Sequence, residues 1–165
     1  MKANEITEIK SDNCLRTKAS SCQCESVNKV TESQETVTAV SELEHSDEVK
    51  GKLLLKQKAN GPTLIVGKIT GLNPGKHGFH IHEFGDMSNG CESMGGHYNP
   101  EGVDHGDLDK GHVGDLGNIT ADDSGVATIK IVAKSVDLIG EHSVVGRGFV
   151  VHSGEDDLGR GGDAE

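Results

Sequence analysis

Apolar and polar residues alternate along short stretches of this chain from residue 36 onward, the period-two signature of half-buried β-strands. Val37-Thr38-Ala39-Val40, Val49 to Leu55 and Leu64 to Ile69 carry it first, and Phe79-His80-Ile81-His82 continues it. It resumes in Asp115 to Thr120, Val126 to Val132 and Gly148-Phe149-Val150-Val151-His152. Asn60-Gly61-Pro62, Gly71-Leu72-Asn73-Pro74-Gly75 and Asp122-Asp123-Ser124-Gly125 separate these stretches as turns. Such turns predict tight antiparallel connections, and so an all-β fold rather than one built on helical crossovers. Between Gly85 and Gly114 the chain is rich in Gly, Asp, His and Asn and shows no periodicity. A loop that long in a small domain is ordinarily functional, or is held by something other than a core.

Composition sharpens the division of the chain. All 23 glycines lie from Gly51 onward. The first 34 residues are rich in Lys, Glu, Ser, Thr and Asn and contain neither aromatic residues nor proline, so they offer too little apolar surface to offset the entropy of ordering. The expectation is a flexible polar N-terminal extension over residues 1–34 and one β domain over residues 35–165, a size that suits a single core. With 2% aromatic residues, that core must be built from Val, Ile and Leu. A formal net charge of −11 would repel a phosphate backbone, which argues against nucleic acid as partner. No apolar run reaches the length of a membrane span, and Met1-Lys2-Ala3-Asn4-Glu5 lacks the apolar centre of a signal peptide. The expected setting is cytoplasmic, with no membrane partner.

The chemistry lies in the histidines, nine in all. His80 and His82 stand two apart on a predicted strand, so both rings leave the same face and can reach one ion. His97, His105 and His112 follow in the long loop, with Asp115 three residues beyond His112; three imidazoles and one carboxylate make a tetrahedral zinc set. His152, at the end of a Phe-Val-Val-His strand, can complete the first group. Four nitrogens in a tetragonal set are what Cu(II) prefers, while the loop set with its carboxylate suits zinc. His45, His77 and His142 lack such spacing and read as ordinary surface or core rings.

Four segments in order carry a family pattern: Gly78-Phe79-His80-Ile81-His82-Glu83-Phe84-Gly85-Asp86, Cys91 to His97-Tyr98-Asn99-Pro100, His112-Val113-Gly114-Asp115-Leu116-Gly117-Asn118, and Gly146-Arg147 to Val151-His152. Together they closely resemble copper/zinc superoxide dismutase, over roughly Thr36 to Gly162. The resemblance implies a Greek-key β-barrel or sandwich with long metal-binding loops. It implies copper on His80, His82, His97 and His152, and zinc on His97, His105, His112 and Asp115. His97 is then the shared bridge and the catalytic histidine, and Asp156 is the carboxylate that hydrogen-bonds a ligand histidine at each metal. The implied reaction converts superoxide to dioxygen and hydrogen peroxide. Superoxide is thus the expected substrate, with a homodimer as the default assembly and room for a copper chaperone as partner.

Three family features have no counterpart at their family positions. They are the arginine beside the copper that guides the superoxide anion, the cysteine that pairs with the one matching Cys91, and the last strand of the barrel. Arg147 matches a different, structural arginine, and Arg160 is a weak substitute for the guiding one. The expectation is therefore a barrel with its last strand position vacant. The alternative to an enzyme is a catalytically impaired copper/zinc-binding protein serving in metal storage, as a decoy or as a chaperone. Cys14, Cys22 and Cys24 read as reduced thiols of the extension; Cys22-Gln23-Cys24 resembles a soft Cu(I) pair only as a short motif.

Overall fold

Every alternating stretch becomes a strand in the computed structural model, which describes residues 5–11 as backbone and residues 35–43 and 48–161 in full. In chain order the strands are β1 (Glu5–Ser11), β2 (Thr36–Leu43), β3 (Lys50–Lys58), β4 (Thr63–Thr70), β5 (Gly75–His82), β6 (Ser88–Cys91), β7 (Asp115–Ala121), β8 (Ala127–Ala133) and β9 (Gly148–Val151). One 3-10 turn, Glu92–Met94, follows β6. Eight of the strands close a barrel in the order β1-β2-β3-β4-β8-β7-β5-β9, with β9 pairing back to β1 and every pairing antiparallel.

The barrel interior follows from the period-two pattern. Leu53 and Leu55 of β3, Ile65 and Ile69 of β4, Phe79 and Ile81 of β5, Ile129 of β8 and Phe149 of β9 are buried in one cluster. Each such side chain contributes about 1.5–3 kcal/mol on leaving water. The two phenylalanines stack with ring centroids 5.2 Å apart, which ties β5 to β9. These are the two strands that lead into histidines.

The turns divide in their behaviour. Asn60, at φ 56°, and Gly61 close the β3–β4 hairpin as expected. Asp122 closes the β7–β8 turn by accepting from the amides of Ser124 and Val126 at 2.9 and 3.0 Å. Gly71 to Gly75 differs from the expected hairpin, because β4 pairs with β3 and β8 whereas β5 pairs with β7 and β9. The segment crosses one end of the barrel instead, where the Leu72 amide donates to the Gly125 carbonyl at 3.1 Å. Turn chemistry ends a strand without choosing its next neighbour.

A second difference concerns the chain's beginning. Glu5–Ser11, inside the extension expected to be flexible, is a strand, and it fills the barrel position expected to be vacant. Its register runs Glu5↔Val151, Ile6↔Val150, Thr7↔Phe149 and Glu8↔Gly148 on β9, then Ile9↔Ser41, Lys10↔Val40 and Ser11↔Ala39 on β2. Two neighbouring edges with unpaired backbone groups offer a ladder on each side, and that outweighs an unpromising composition. The rest of the expected extension, with Cys14, Cys22 and Cys24, lies outside the described residues, as does His45.

Candidate metal centre

Strand β5 is buried on both faces, with Gly78 through His82 all inaccessible. Phe79 and Ile81 enter the barrel core, so His80 and His82 leave the opposite face of the strand. His80 is paired across the sheet with Val150 of β9 and Asp115 of β7, and His82 with Gly148. His152 follows β9 directly, its amide donating to the Gly78 carbonyl at 2.8 Å. Three adjacent strands thus deliver four of the side chains.

The long loop is fastened over that face by backbone bonds. The Ile81 amide donates to Gly114, the Gly114 amide to Tyr98, and the Tyr98 amide to Ile81, at 2.8, 2.9 and 2.8 Å. Gly114 is required at this crossing, since a Cβ there would collide with the Ile81 carbonyl oxygen and lie 2.9 Å from the Tyr98 nitrogen. The crossing brings His97 beside His82 as a bridge partner and starts β7 at Asp115. Arg147 completes the fastening: its guanidinium lies 3.5 Å from the centre of the Tyr98 ring, and it donates to the carbonyls of Ser143 and Glu83.

Eight residues singled out by the sequence converge. One donor atom from each of His80, His82, His97 and His152 lies within 4.8 Å of the others, and the same holds for His97, His105, His112 and Asp115. His97 belongs to both groups. Its Nδ1 lies 2.9 Å from Asp115 Oδ1, which leaves Nε2 as the atom it offers to the first group. Asp115 Oδ2 accepts from His105 Nδ1 at 3.0 Å and from the amides of Gly106 and His112 at 2.9 and 2.8 Å. Asp156 spans the two groups, with Oδ2 3.2 Å from His80 Nε2 and Oδ1 2.9 Å from His105 Nε2.

The orientation of the rings suits a metal. His80 has its Nε2 on Asp156, and His82 has its Nδ1 on the Gly95 carbonyl at 2.8 Å. The remaining nitrogens, His80 Nδ1 and His82 Nε2, are buried with no hydrogen-bond partner. A buried polar atom left unpaired costs about 1–3 kcal/mol. Two of them turned toward the same point are what a cation would satisfy, and the fixed opposite nitrogens hold the rings in that tautomer.

Electrostatics point the same way. Burial, helped by the neighbouring His97 and His152, pushes His80 down to about 3. Burial likewise pushes His82 down to about 4, opposed by the hydrogen bond to the Gly95 carbonyl and helped by His97 and His152. Both rings are therefore neutral at pH 7, the form that ligates. Burial works against ionisation of Asp115, yet hydrogen bonds from His97 and from the amides of Gly106 and His112 overcome it and hold the carboxyl at about 2. Burial also opposes charge on His105, but Asp156 and Asp115 outweigh it and raise this ring above its ordinary value. Asp156 is lowered in return: burial opposes its ionisation, and the hydrogen bonds of His105 and His80 prevail.

Two supporting residues escaped the sequence reading. Asn118 holds Asp156 by a reciprocal pair, its Oδ1 accepting from the Asp156 amide at 2.8 Å and its Nδ2 donating to the Asp156 carbonyl at 2.9 Å. Its place in the Asp115-Leu116-Gly117-Asn118 motif was the available signal. His77 is a buried ring against the His152 carbonyl; nothing in its spacing marked it. Arg160 lines a cleft of about 810 Å³ with Lys76, Asn118, Asp156 and Leu158, on the Asp156 side of the groups.

A closed antiparallel barrel with two histidine groups sharing one ring on its outer wall defines a β-barrel able to hold two metal ions side by side. The model of the family described as copper/zinc superoxide dismutase (SODC) matches residues 49–165. The chain belongs to the copper/zinc superoxide dismutase family, whose oxidoreductase character and pair of metals accord with the geometry.

Proposed function

We propose that this protein is a superoxide dismutase that holds copper on His80, His82, His97 and His152 and zinc on His97, His105, His112 and Asp115. The single observation that carries the reading is the sharing of His97, whose Nδ1 is committed to the Asp115 group while the ring also belongs to the other four-histidine group. Bound copper supplies one-electron chemistry, so that two superoxide anions and two protons yield one dioxygen and one hydrogen peroxide. The chain's own part is to keep His80 and His82 neutral and aimed, and to carry a proton at His97 Nε2 while Nδ1 stays anchored. Asp156, fixed by Asn118, keeps His80 and His105 from turning. The same reading takes a homodimer as the assembly, a copper chaperone as the donor of copper, and the cytoplasm as the setting. Among the described residues, no helix is long and apolar enough to cross a membrane.

A second reading is favoured by Arg147 and by the net charge of −11. The Arg147 guanidinium is spent on the Tyr98 ring and on two carbonyls rather than offered to an incoming anion. On that reading the chain holds both metals with little turnover. One experiment separates the two: superoxide dismutation by protein reconstituted with copper and zinc, with the bound metals quantified on the same sample. Rapid turnover at one copper and one zinc per chain supports the enzyme. Stoichiometric metals with negligible turnover support the binding protein, and failure to hold either metal defeats both.

A further inference from the structure

Strand β3 alternates lysine with buried residues: Lys50, Lys52, Lys56 and Lys58 are exposed, while Leu53, Leu55 and Gln57 are buried. Its neighbours extend that outer row. Lys68 of β4 stands directly opposite Lys52, and Lys130 of β8 stands opposite Val66 of β4. Residues paired across an antiparallel ladder share a face of the sheet, so six of the chain's 16 basic residues lie on one outer wall of the barrel. Among the described residues only Lys52 of these six forms an ion pair, with Glu42 of β2 at 2.6 Å. Lys68 acts on Asp122 of the β7–β8 turn from a distance. Between the lysines the same face is aliphatic. Val40, Leu54 and Val66 form one cross-strand row, Leu64 and Val132 stand side by side in the next, and Val132 is 51% exposed.

The lysines do not serve the fold. Like charges set directly opposite one another, as in Lys52 and Lys68, cost stability. Lysines elsewhere guard the open edges of sheets, but β3, β4 and β8 are flanked on both sides in a closed barrel. We propose that the outer wall of β3, β4 and β8 is a docking surface for an anionic lipid bilayer. Charge complementarity and shape select that occupant. The lysines spread in two dimensions over three adjacent strands, which suits a flat acceptor better than a linear polyanion. Among the described residues the wall carries no aromatic ring on which a nucleic-acid base could stack. Lysine stems can lie along the aliphatic centre and carry their charges out to acidic headgroups. The formal net charge of −11 does not forbid this contact. Screening acts over about 8 Å at physiological salt, less than the roughly 10 Å between packed sheet walls, so acids on the far wall are hidden from a bilayer that touches the lysines. The expectation of no membrane partner counted apolar spans, and a peripheral surface needs none. In the closed strand order β3 and β4 lie opposite β5 and β9, so docking leaves the histidine groups facing away from the lipid. It involves no metal chemistry, and its test stands apart from the dismutase reading.

The test sediments the full chain with vesicles of equal parts phosphatidylcholine and phosphatidylserine, and with vesicles of phosphatidylcholine alone. The expected result is binding to the mixed vesicles only, weakening as salt is raised. Lys56→Gln with Lys130→Gln takes two charges off the wall and should weaken binding by about 25-fold, at about fivefold per lysine. Lys76→Gln with Lys110→Gln makes the same change of net charge elsewhere and should bind as the unaltered chain does. All four lysines are exposed, so both double variants should fold. No binding to the mixed vesicles, equal binding to both kinds of vesicle, undiminished binding by the Lys56 and Lys130 variant, or an equal loss in both double variants would each overturn the proposal. Tighter capture by soluble inorganic polyphosphate than by the mixed vesicles would overturn it too, by putting a polymer on the wall in place of a bilayer.

Discussion

His77 braces His152: its Nδ1 lies 2.8 Å from the His152 carbonyl oxygen, while its Nε2 lies 2.8 Å from the carbonyl oxygen of Asn73. The ring is buried, and it joins the turn before β5 to the residue that follows β9. His77→Phe keeps a flat ring and removes the N–H that a neutral imidazole donates to one of these carbonyls. The expected loss is about 0.5–1.5 kcal/mol of stability, the net worth of one hydrogen bond. It should also weaken metal binding in the four-histidine group more than in the Asp115 group, because His152 belongs only to the first. Melting curves and separate copper and zinc titrations check this; equal weakening of both metals would defeat the positioning role.

His97 is the residue whose removal should reach both groups. In His97→Ala each group retains three donors, and the Asp115 oxygen loses the ring that lies 2.9 Å away. Copper and zinc contents should both fall, by about tenfold or more in affinity. His105→Ala serves as the contrast, since His105 belongs to the Asp115 group and not to the four-histidine group. Unchanged metal contents in His97→Ala, measured by elemental analysis, would remove the bridge from the reading.

How much of this was legible in the sequence depends on what each residue's position encodes. His80 and His82 could be read because a strand's period of two puts both on one face, and Asp115 because its place three residues beyond His112 makes a compact pair of nitrogen and oxygen donors. The barrel interior was legible for the same reason, as alternation in β3, β4 and β8 shows which side faces inward. Strand β1 was not: Glu5 to Ser11 has no alternation worth the name, and its placement rests on ladders offered by β2 and β9, which no local pattern announces. Nor could the Gly71–Gly75 crossover be read, since a turn motif is silent on which strand comes next. Asn118 and His77 act through carbonyls and amides supplied by distant segments, and such partners exist only once the chain has folded.

Asn118 should matter to metal binding without touching metal. Its two bonds hold the backbone of Asp156, and Asp156 in turn meets His80 and His105. Asn118→Ala frees that backbone, and both metal affinities should drop by about 10–100-fold, as when a carboxylate behind a ligand histidine is lost. Asp156→Asn is the sharper companion, because an amide can keep one of the two contacts as acceptor but presents a donor to the other. The expected order of metal retention is wild type, then Asn118→Ala, then Asp156→Asn, measured by competition with a chelator. Full retention in both variants would show that the rings are held by packing alone.

Acid should destabilise the metal-free protein well before its carboxylates titrate. The folded-state values of His80 and His82, about 3 and about 4, lie below the 6.5 of an unfolded ring. As pH falls below 6.5 the unfolded chain binds protons that these buried rings refuse, and stability declines by about 2 kcal/mol for each ring between pH 6.5 and 5. His105 acts in the opposite sense: its raised value adds stability that is fully present below 6.5 and is lost as pH rises through the folded value. Asp115, held at about 2 against 3.8, contributes stability above 3.8 that disappears as pH falls toward 2. The profile should therefore drop in two overlapping stages, the histidine stage from pH 6.5 down to about 3 and the Asp115 stage from 3.8 toward 2. Replacing both rings, His80→Gln with His82→Gln, should flatten the first stage and leave the second. Thermal melts of the metal-free protein from pH 7 to 3 check this, and a flat profile between pH 6.5 and 5 in the unaltered chain would show that water reaches these rings in the folded state.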